Sequence, residues 1–338
     1  MKPRVTMRDI AKKLNVSTVT VSKALSDKDG VSDSLRARIK QQAEKMRYVY
    51  NSMPQSMLKG RNFNIGILIG TKYLGESSFY WIFFQKLLSV LKQRKYLGIL
   101  EIVTAQDEAH LVPPVFMETN KVDGVILLGQ LTDPYIGKIV AENPLCVFLD
   151  FYSTIGKCDS IATNNFFASY KLTKLLIDKG HKKIGFIGTT CATTSILDRY
   201  LGFCKAMLEA GLPQDAPIAD RDEQGYAYQN ISLKIGNYTA YVCNNDQLAG
   251  TVIRQFRRQG IYVPEDISIV GFDNADSEIT DGVDVTSVAI NIDAMCEAAA
   301  TALLRRIEDD DYKPQGVMFI DAQVIEKQSA LGHSSKFF

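Results

Sequence analysis

Five short runs decide what most of this chain can become: IGILIG at 65–70, GVILLG at 124–129, LCVFLD at 145–150, KIGFIG at 183–188 and ISIVGF at 267–272. None alternates apolar with polar residues, so a strand built from any of them buries both faces. A parallel sheet with helices on each side meets that demand. Amphipathic segments lie between the runs. The spacing predicts helices over 79–95, 134–142, 166–179, 199–210 and 247–259, and further strands at 98–104 and 240–243. Strand and helix alternating in two successive sets make an α/β body of two lobes. An apolar helix over 293–307 and a strand near 316–320 predict that the chain crosses back to the first lobe and then returns. Such crossings leave a hinged cleft at the carboxyl ends of the strands, where open parallel sheets hold ligands.

The first sixty residues are of another kind. Within TMRDIAKKLNVSTVTVSKAL (6–25), Thr6 and Asp9 are spaced to cap a first helix whose stripe is Ile10, Ala11 and Leu14. The corner falls at Asn15 and Val16. Ser17 is placed to cap a second helix by accepting from the backbone near Thr20, while Val16 and Val21 form a hydrophobic staple. With Val21, Ala24 and Leu25 turned inward, Ser17, Thr18, Val19, Ser22 and Lys23 make an outer face of hydroxyls, one methyl-bearing residue and one cation. Short side chains let a helix approach a duplex closely: hydroxyls and N-terminal amides suit phosphates, and an apolar contact beside a long donor suits base edges. We assign base reading to Thr18, Val19 and Lys23 and phosphate contacts to Ser17, Thr20 and Ser22, with Thr6 also in the DNA-facing set. A pair of small helices packed on a protein partner is the plainer alternative. Ser32 is placed to cap a third helix with Leu35, Ile39, Ala43 and Met46 on its inner face and Arg36, Arg38, Lys40 and Lys45 outward, mostly as a solvated face.

Charge divides along the same line. Residues 1–61 hold 14 Lys and Arg against 5 Asp and Glu, a balance of +9, whereas the rest carries −8 and the whole 338-residue chain +1. A basic head on an acidic body points to a polyanion held at one end, with salt-dependent affinity. No run of eighteen apolar residues and no apolar segment after the charged start occurs, so the protein is expected in the cytosol. The six cysteines show no C-x-x-C spacing and the three histidines are scattered, which predicts buried free thiols and neither a structural metal nor a cofactor.

The helix pair, followed by Gly30-Val31-Ser32 and a third helix ending MRYVYN, resembles the DNA-binding head of the LacI/GalR family of bacterial transcription regulators. The resemblance extends more loosely over most of the remaining chain. It implies a helix-turn-helix domain at 1–47, a hinge segment at 48–62 that orders on operator DNA, and an effector-binding and dimerisation domain at 63–338. That domain resembles periplasmic binding proteins, with one lobe at about 63–161 and 291–318 and the other at about 162–290 and 319–332. Met57 stands where the family places a leucine that wedges into the minor groove, an apolar role methionine can fill. Pro54 and Gln55 replace the usual alanine and arginine beside it.

In the body, Arg199-Tyr200-Leu201-Gly202-Phe203 resembles the family's R-x-x-G-F segment, Asn245-Asp246 its N-D pair and Gly271-Phe272-Asp273 its G-F-D turn. The resemblance implies that Arg199, Asn245 and Asp273 hydrogen-bond an effector. Asp150, at the end of LCVFLD, joins them by position. Each also has a plainer role open to it: Asp246 as a helix cap, Asp150 as a loop cap, Arg199 as a surface residue. Guanidinium donors opposing carboxylates suit a polyhydroxylated molecule such as a sugar, with Phe79 and Tyr80 as the rings against its apolar face. Ser77-Ser78 replaces the family's Asn-Pro ahead of those rings, and Ile290 replaces a frequent glutamine.

No G-x-G-x-x-G after a strand, G-x-x-x-x-G-K-[ST] or G-x-S-x-G occurs, and no histidine is placed beside a nucleophile. Glycoside hydrolysis by paired carboxylates accords poorly with a DNA-reading head, so binding without turnover is the expectation. The reading is a sequence-specific regulator, most simply a repressor, acting as a homodimer on a near-palindromic operator under control of a small effector. The alternative is a cytosolic solute-binding module whose basic head contacts RNA or a protein. The sign of the effector's action, its identity and any pairing of dimers stay open.

Overall fold

In the computed structural model, which describes residues 5–46, 48, 61–74, 79–143, 145–222, 225–233 and 236–333, the chain divides into two units, Met1–Arg61 and Asn62–Phe338. Among its described residues the first unit forms three helices. Helix α1 (Met7–Leu14) ends at Asn15, whose left-handed backbone (φ 54°) turns the chain into α2 (Thr18–Leu25). The Asp9 carboxylate accepts from both the backbone N–H and the hydroxyl of Thr6 (2.7 Å each), and Ser17 Oγ accepts from Thr20 N at 3.0 Å. Ser32 stands at the start of α3 (Asp33–Lys45) but makes no side-chain cap; its hydroxyl lies 3.4 Å from that of Ser34. Ile10, Ala11, Val21, Ala24, Ile39 and Ala43 form the core, with Val16 packed against it. Arg36 is not a freely solvated cation: with Lys40 it grips Asp27, at 3.4 and 2.7 Å, and braces the loop after α2. Most of the expected hinge, including Pro54, Gln55 and Met57, lies outside the described residues.

The second unit begins with β1 (Asn64–Gly70), α4 (Phe79–Gln93), β2 (Leu97–Val103), α5 (Ala105–His110), α6 (Val115–Glu118), β3 (Gly124–Leu128), α7 (Asp133–Glu142), β4 (Cys146–Leu149) and β5 (Asp159–Thr163). It continues with α8 (Asn165–Asp178), β6 (Ile184–Ile187), α9 (Thr194–Glu209), β7 (Ala240–Cys243), α10 (Asp246–Arg257), β8 (Ser268–Phe272) and β9 (Thr286–Ala289). It closes with α11 (Ile292–Glu308), β10 (Val317–Ile320) and β11 (Gln323–Ile325). The strands form two sheets, ordered β10-β5-β4-β3-β1-β2 and β11-β9-β8-β7-β6. Every pairing is parallel except that of β11 with β9.

The apolar runs are buried on both faces, as their composition demands. In the first lobe Ile65, Ile67 and Ile69 pack under α4 and α11, while Leu68, Val125 and Leu127 pack on the opposite side with α7. The chain changes lobe after Thr163, around Ile290 and Asn291, and between Ile320 and Gln323. Pro114 stands at the N-cap of α6, and with Pro113 it separates α6 from α5. Helix α9 begins at Thr194, five residues before Arg199, because Thr193 Oγ1 caps it by accepting from Ile196 N at 3.2 Å. Arg199 therefore sits inside the helix, not at its start. The thiol expectation holds for Cys146, Cys158, Cys243 and Cys296; Cys191 is exposed and Cys204 half-buried.

Candidate functional site

Between the lobes, at the carboxyl ends of the strands, lies a cavity of about 260 Å³, and Phe79, Tyr80, Asp150, Arg199, Asn245 and Asp273 all line it. Two close approaches position the second lobe's share. A Cβ on Gly202 would stand 2.1 Å from the Phe166 carbonyl oxygen, so glycine lets α9 lie against α8 and sets Arg199 beside Asn165. A Cβ on Gly271 would stand 2.1 Å from Asp246 Oδ1, so β8 can approach α10 only without a side chain there.

Arg199 is 5% exposed and already anchored. Its Nε donates to Asn165 Oδ1 at 2.8 Å and its Nη1 to the Asn244 carbonyl at 2.7 Å, with the guanidinium 4.3 Å over the Phe272 ring. These contacts fix the plane of the cation and offset part of its desolvation. The expected free fork is thus half occupied by protein.

The carboxylates are less well served. Asp150 (5% exposed) accepts from the Tyr80 hydroxyl at 2.8 Å through Oδ2, while its buried Oδ1 has no partner. Asp273 Oδ1 is likewise buried and unpartnered. Burial raises both to a pKa of about 6; Tyr80 and Arg199 oppose the rise at Asp150, and at Asp273 Arg199 opposes it while the Asp150 charge adds to it. A buried acceptor without a donor costs free energy that an incoming hydroxyl or amine recovers.

Asn245 contributes differently from the expectation. Its Oδ1 caps α10 by accepting from Leu248 N at 2.8 Å, which leaves its amide nitrogen for a ligand. Asp246 is no cap: its carboxylate accepts from Ser287 Oγ (2.8 Å) and Ala275 N (2.8 Å), and burial, then the neighbouring Asp273, push it up to about 8. Phe79 and Tyr80 belong to an aromatic wall that includes Tyr73, with Tyr73 and Tyr80 centroids 4.6 Å apart and Phe79 edge-on to Tyr80 at 5.1 Å.

Sequence reasoning missed the rest of the lining. Tyr73 donates to the Gln130 carbonyl at 2.6 Å, and Lys72, Asp220, Arg221, Tyr226 and Tyr228 also border the cavity. Asp220 and Arg221 form a bidentate pair reaching 2.7 Å. No motif marks 220–228; its place opposite Lys72 follows from the tertiary fold. Bonds already cross the cleft: Gln130 Oε1 accepts from Thr194 N at 2.8 Å, and the Tyr152 hydroxyl donates to Asp198 Oδ1 at 2.9 Å.

In the head, Ser17, Thr18, Val19 and Lys23 are exposed, Val19 to 63%, whereas Thr20 and Ser22 are half-buried. Ser17 Oγ and Thr20 Oγ1 are 2.8 Å apart, so one of these hydroxyls donates a hydrogen bond to the other. Thr18, Val19, Ser22 and Lys23 rim one shallow depression with Lys28, a cation the sequence reading passed over. Thr6 is exposed ahead of α1, bonded to Asp9.

With this geometry in hand, comparison with known proteins is specific. Residues 6–51 match the family model of bacterial regulatory proteins of the lacI family, and residues 173–330 match the periplasmic binding protein-like domain. The HTH-type transcriptional repressor PurR of Actinobacillus pleuropneumoniae serotype 3 (strain JL03) is 28% identical over 333 residues, covering 95% of this chain and 97% of the relative. The uncharacterized HTH-type transcriptional regulator YvdE of Bacillus subtilis (strain 168) is 25% identical over 329 residues, covering 96% and 99%. Both are transcription regulators and neither is an enzyme. Among solved structures, the lac repressor dimer bound to operator and the anti-inducer ONPF superposes with a TM-score of 0.82 at 20% identity, covering 97% of this chain and 100% of that one. The complex of the regulator CelR with cellobiose gives 0.66 at 21% identity, covering 96% and 100%. The fold is that of these regulators, and the chain belongs to the LacI/GalR family of DNA-binding transcription regulators with a periplasmic-binding-protein-like body.

Proposed function

We propose that this protein is a transcriptional repressor that binds a near-palindromic operator as a homodimer in the cytoplasm, and that a polyhydroxylated molecule, most simply a sugar, sets its operator affinity from the cleft. The observation that carries the effector reading is the pair of sealed, unpartnered carboxylate oxygens, Asp150 Oδ1 and Asp273 Oδ1, in one cavity with Arg199 and the aromatic wall. Adjacent hydroxyls donate to such acceptors and accept from a guanidinium, and their C–H face suits rings. In this reading Phe79 and Tyr80 bound the sugar, and Asp150, Arg199, Asn245 and Asp273 hydrogen-bond it. A ribose-bound family member and the cellobiose complex support a carbohydrate ligand.

On DNA, Thr18, Val19 and Lys23 read base edges, Ser17, Thr20 and Ser22 hold phosphates, Thr6 lies at the backbone, and Met57 wedges into the minor groove. Dimerisation fits the first lobe, where Trp81 (49% exposed) and Ile82 (47%) on α4 and Leu97 (68%) on the edge strand β2 leave apolar side chains open to a partner. Because effector and operator each favour particular lobe arrangements, their binding is coupled through their differential affinities.

Selection of duplexes from a random pool, followed by gel shifts of the winner with a panel of sugars, tests the whole reading. It predicts an enriched inverted repeat and at least one sugar that changes affinity for it. A pool without an inverted repeat, or sugars that bind yet leave DNA affinity unaltered, overturns it.

A further inference from the structure

The effector cavity does not end at the aromatic wall. Beside it lies a larger hollow of about 650 Å³, and the two share Ala227, Tyr228, Gln247 and Thr251 as common lining. From this shared lining we infer that the effector is an uncharged oligosaccharide, one ring enclosed in the cleft and the following unit lying in this annex across Tyr228. The inference rests on the sugar reading above and deepens it.

The annex is built, not incidental. Its wall is formed by residues 220–222 and 225–231, held by the pairing of Arg221 with Ala227 and the bond from Tyr228 N to the Asp220 carbonyl at 2.8 Å. Gln255, on α10, then clamps the segment: its Oε1 accepts from Ile231 N at 3.0 Å and its Nε2 donates to Ile231 O at 2.7 Å, while the Ile231 side chain is buried in the lobe core. Rigid walls of this kind hold a ligand without the entropy cost of ordering a loop.

The chemistry of the lining selects among ligands. Tyr228 is 43% exposed and offers a ring face for stacking against sugar C–H groups. Arg254 on α10 and Arg258, the residue at its C-terminal cap, supply planar donors, the first oriented by Thr251 at 3.1 Å. Glu278 stands in the same hollow and supplies an acceptor of opposite charge, so the surface is mixed where a phosphate or carboxylate site would be uniformly cationic. Alternating donors and acceptors around an aromatic face fit hydroxyl groups.

Calorimetric titration of the full chain with glucose, galactose, mannose and xylose and with their di- and trisaccharides tests the inference. In the series that binds, the disaccharide should exceed its monomer by about tenfold or more in affinity. Arg254→Ser and, independently, the surface change Arg258→Ser should remove most of that gain while leaving the monomer within about twofold of wild type, as expected when only the distal contacts are lost. A monomer that binds as tightly as every longer saccharide overturns the annex and leaves the cleft reading intact. Preference for a monosaccharide 6-phosphate over every neutral oligosaccharide also overturns it. Absence of binding by any saccharide of any length overturns the cleft reading and this inference with it.

Discussion

Asp150 and Asp273 occupy matching places in the two lobes: each is the first residue past a central strand, each has a left-handed backbone (φ 69° and 94°), and each keeps one buried carboxylate oxygen without a donor. Aspartate tolerates that backbone better than most residues, and strain of this sort gathers at binding sites. Both groups are raised to about 6 from an ordinary value of 3.8. Two buried carboxylates in one cleft are thus an unfavourable charge pair that a hydrogen-bond donor relieves.

One consequence is a pH dependence of stability. With folded values above the unfolded ones, the folded protein holds more protons between about pH 4 and 6, so these two groups make it less stable as pH rises through that window. Asp150→Asn or Asp273→Asn should therefore raise the unfolding midpoint at pH 7, by up to roughly 2–3 kcal/mol for a shift of this size. Effector affinity should fall at the same time. Denaturant melts of the ligand-free proteins at pH 4 and 7, with the larger gain at the higher pH, check the sign.

Effector binding itself should respond to acid. A ligand that donates to these carboxylates lowers their pKa, so binding releases protons and weakens as pH drops below about 6. Titrations in two buffers of different ionisation enthalpy measure the protons released; an uptake of protons near pH 6 contradicts the assignment.

Arg199→Lys keeps the charge and loses the geometry. A lysine ammonium cannot bond Asn165 and the Asn244 carbonyl in one plane, as Nε and Nη1 do at 2.8 and 2.7 Å. A loss of about 1.5–3 kcal/mol in effector affinity is expected, the range for hydrogen bonds to charged groups. Operator binding without effector should be retained, as a gel shift will show.

On the DNA side, Lys23→Ala should cost about 1–3 kcal/mol on the selected operator and relax preference at one base position. Lys28→Ala, which alters a cation on the rim of the same depression, should instead weaken all sequences alike and reduce the salt dependence by about one unit of slope. Equal losses on every sequence for Lys23→Ala would remove its base-reading assignment.

Gly202→Ala tests the scaffold. A methyl 2.1 Å from the Phe166 carbonyl forces α8 and α9 apart, and overpacking of this type costs about 1–3 kcal/mol. Because Arg199 lies one turn away, effector affinity should fall along with the body's denaturation midpoint, while the head, whose core is its own, keeps its helical signal.

Patterns confined to a few neighbouring residues were legible in the sequence, because their physics is local. Runs such as GVILLG admit no exposed face, Thr6, Asp9 and Ser17 have the spacing of helix starts, and the exposed row from Ser17 to Lys23 follows from helical period. Strands β5, β9 and β11 escaped notice: DSIAT, TSVA and QVI carry too little apolar pattern, and their pairing comes from neighbours supplied by distant chain. The site divides in the same way. Strand ends nominated Asp150, Asn245 and Asp273, but which hydrogen-bonding atoms remain free was decided by tertiary packing: Asn244 occupies half of Arg199, the helix cap consumes Asn245 Oδ1, and burial leaves the two carboxylate oxygens bare. The wall at 225–231 was decided wholly there, since a stretch without periodicity becomes a surface only when Gln255 and the burial of Ile231 hold it in place.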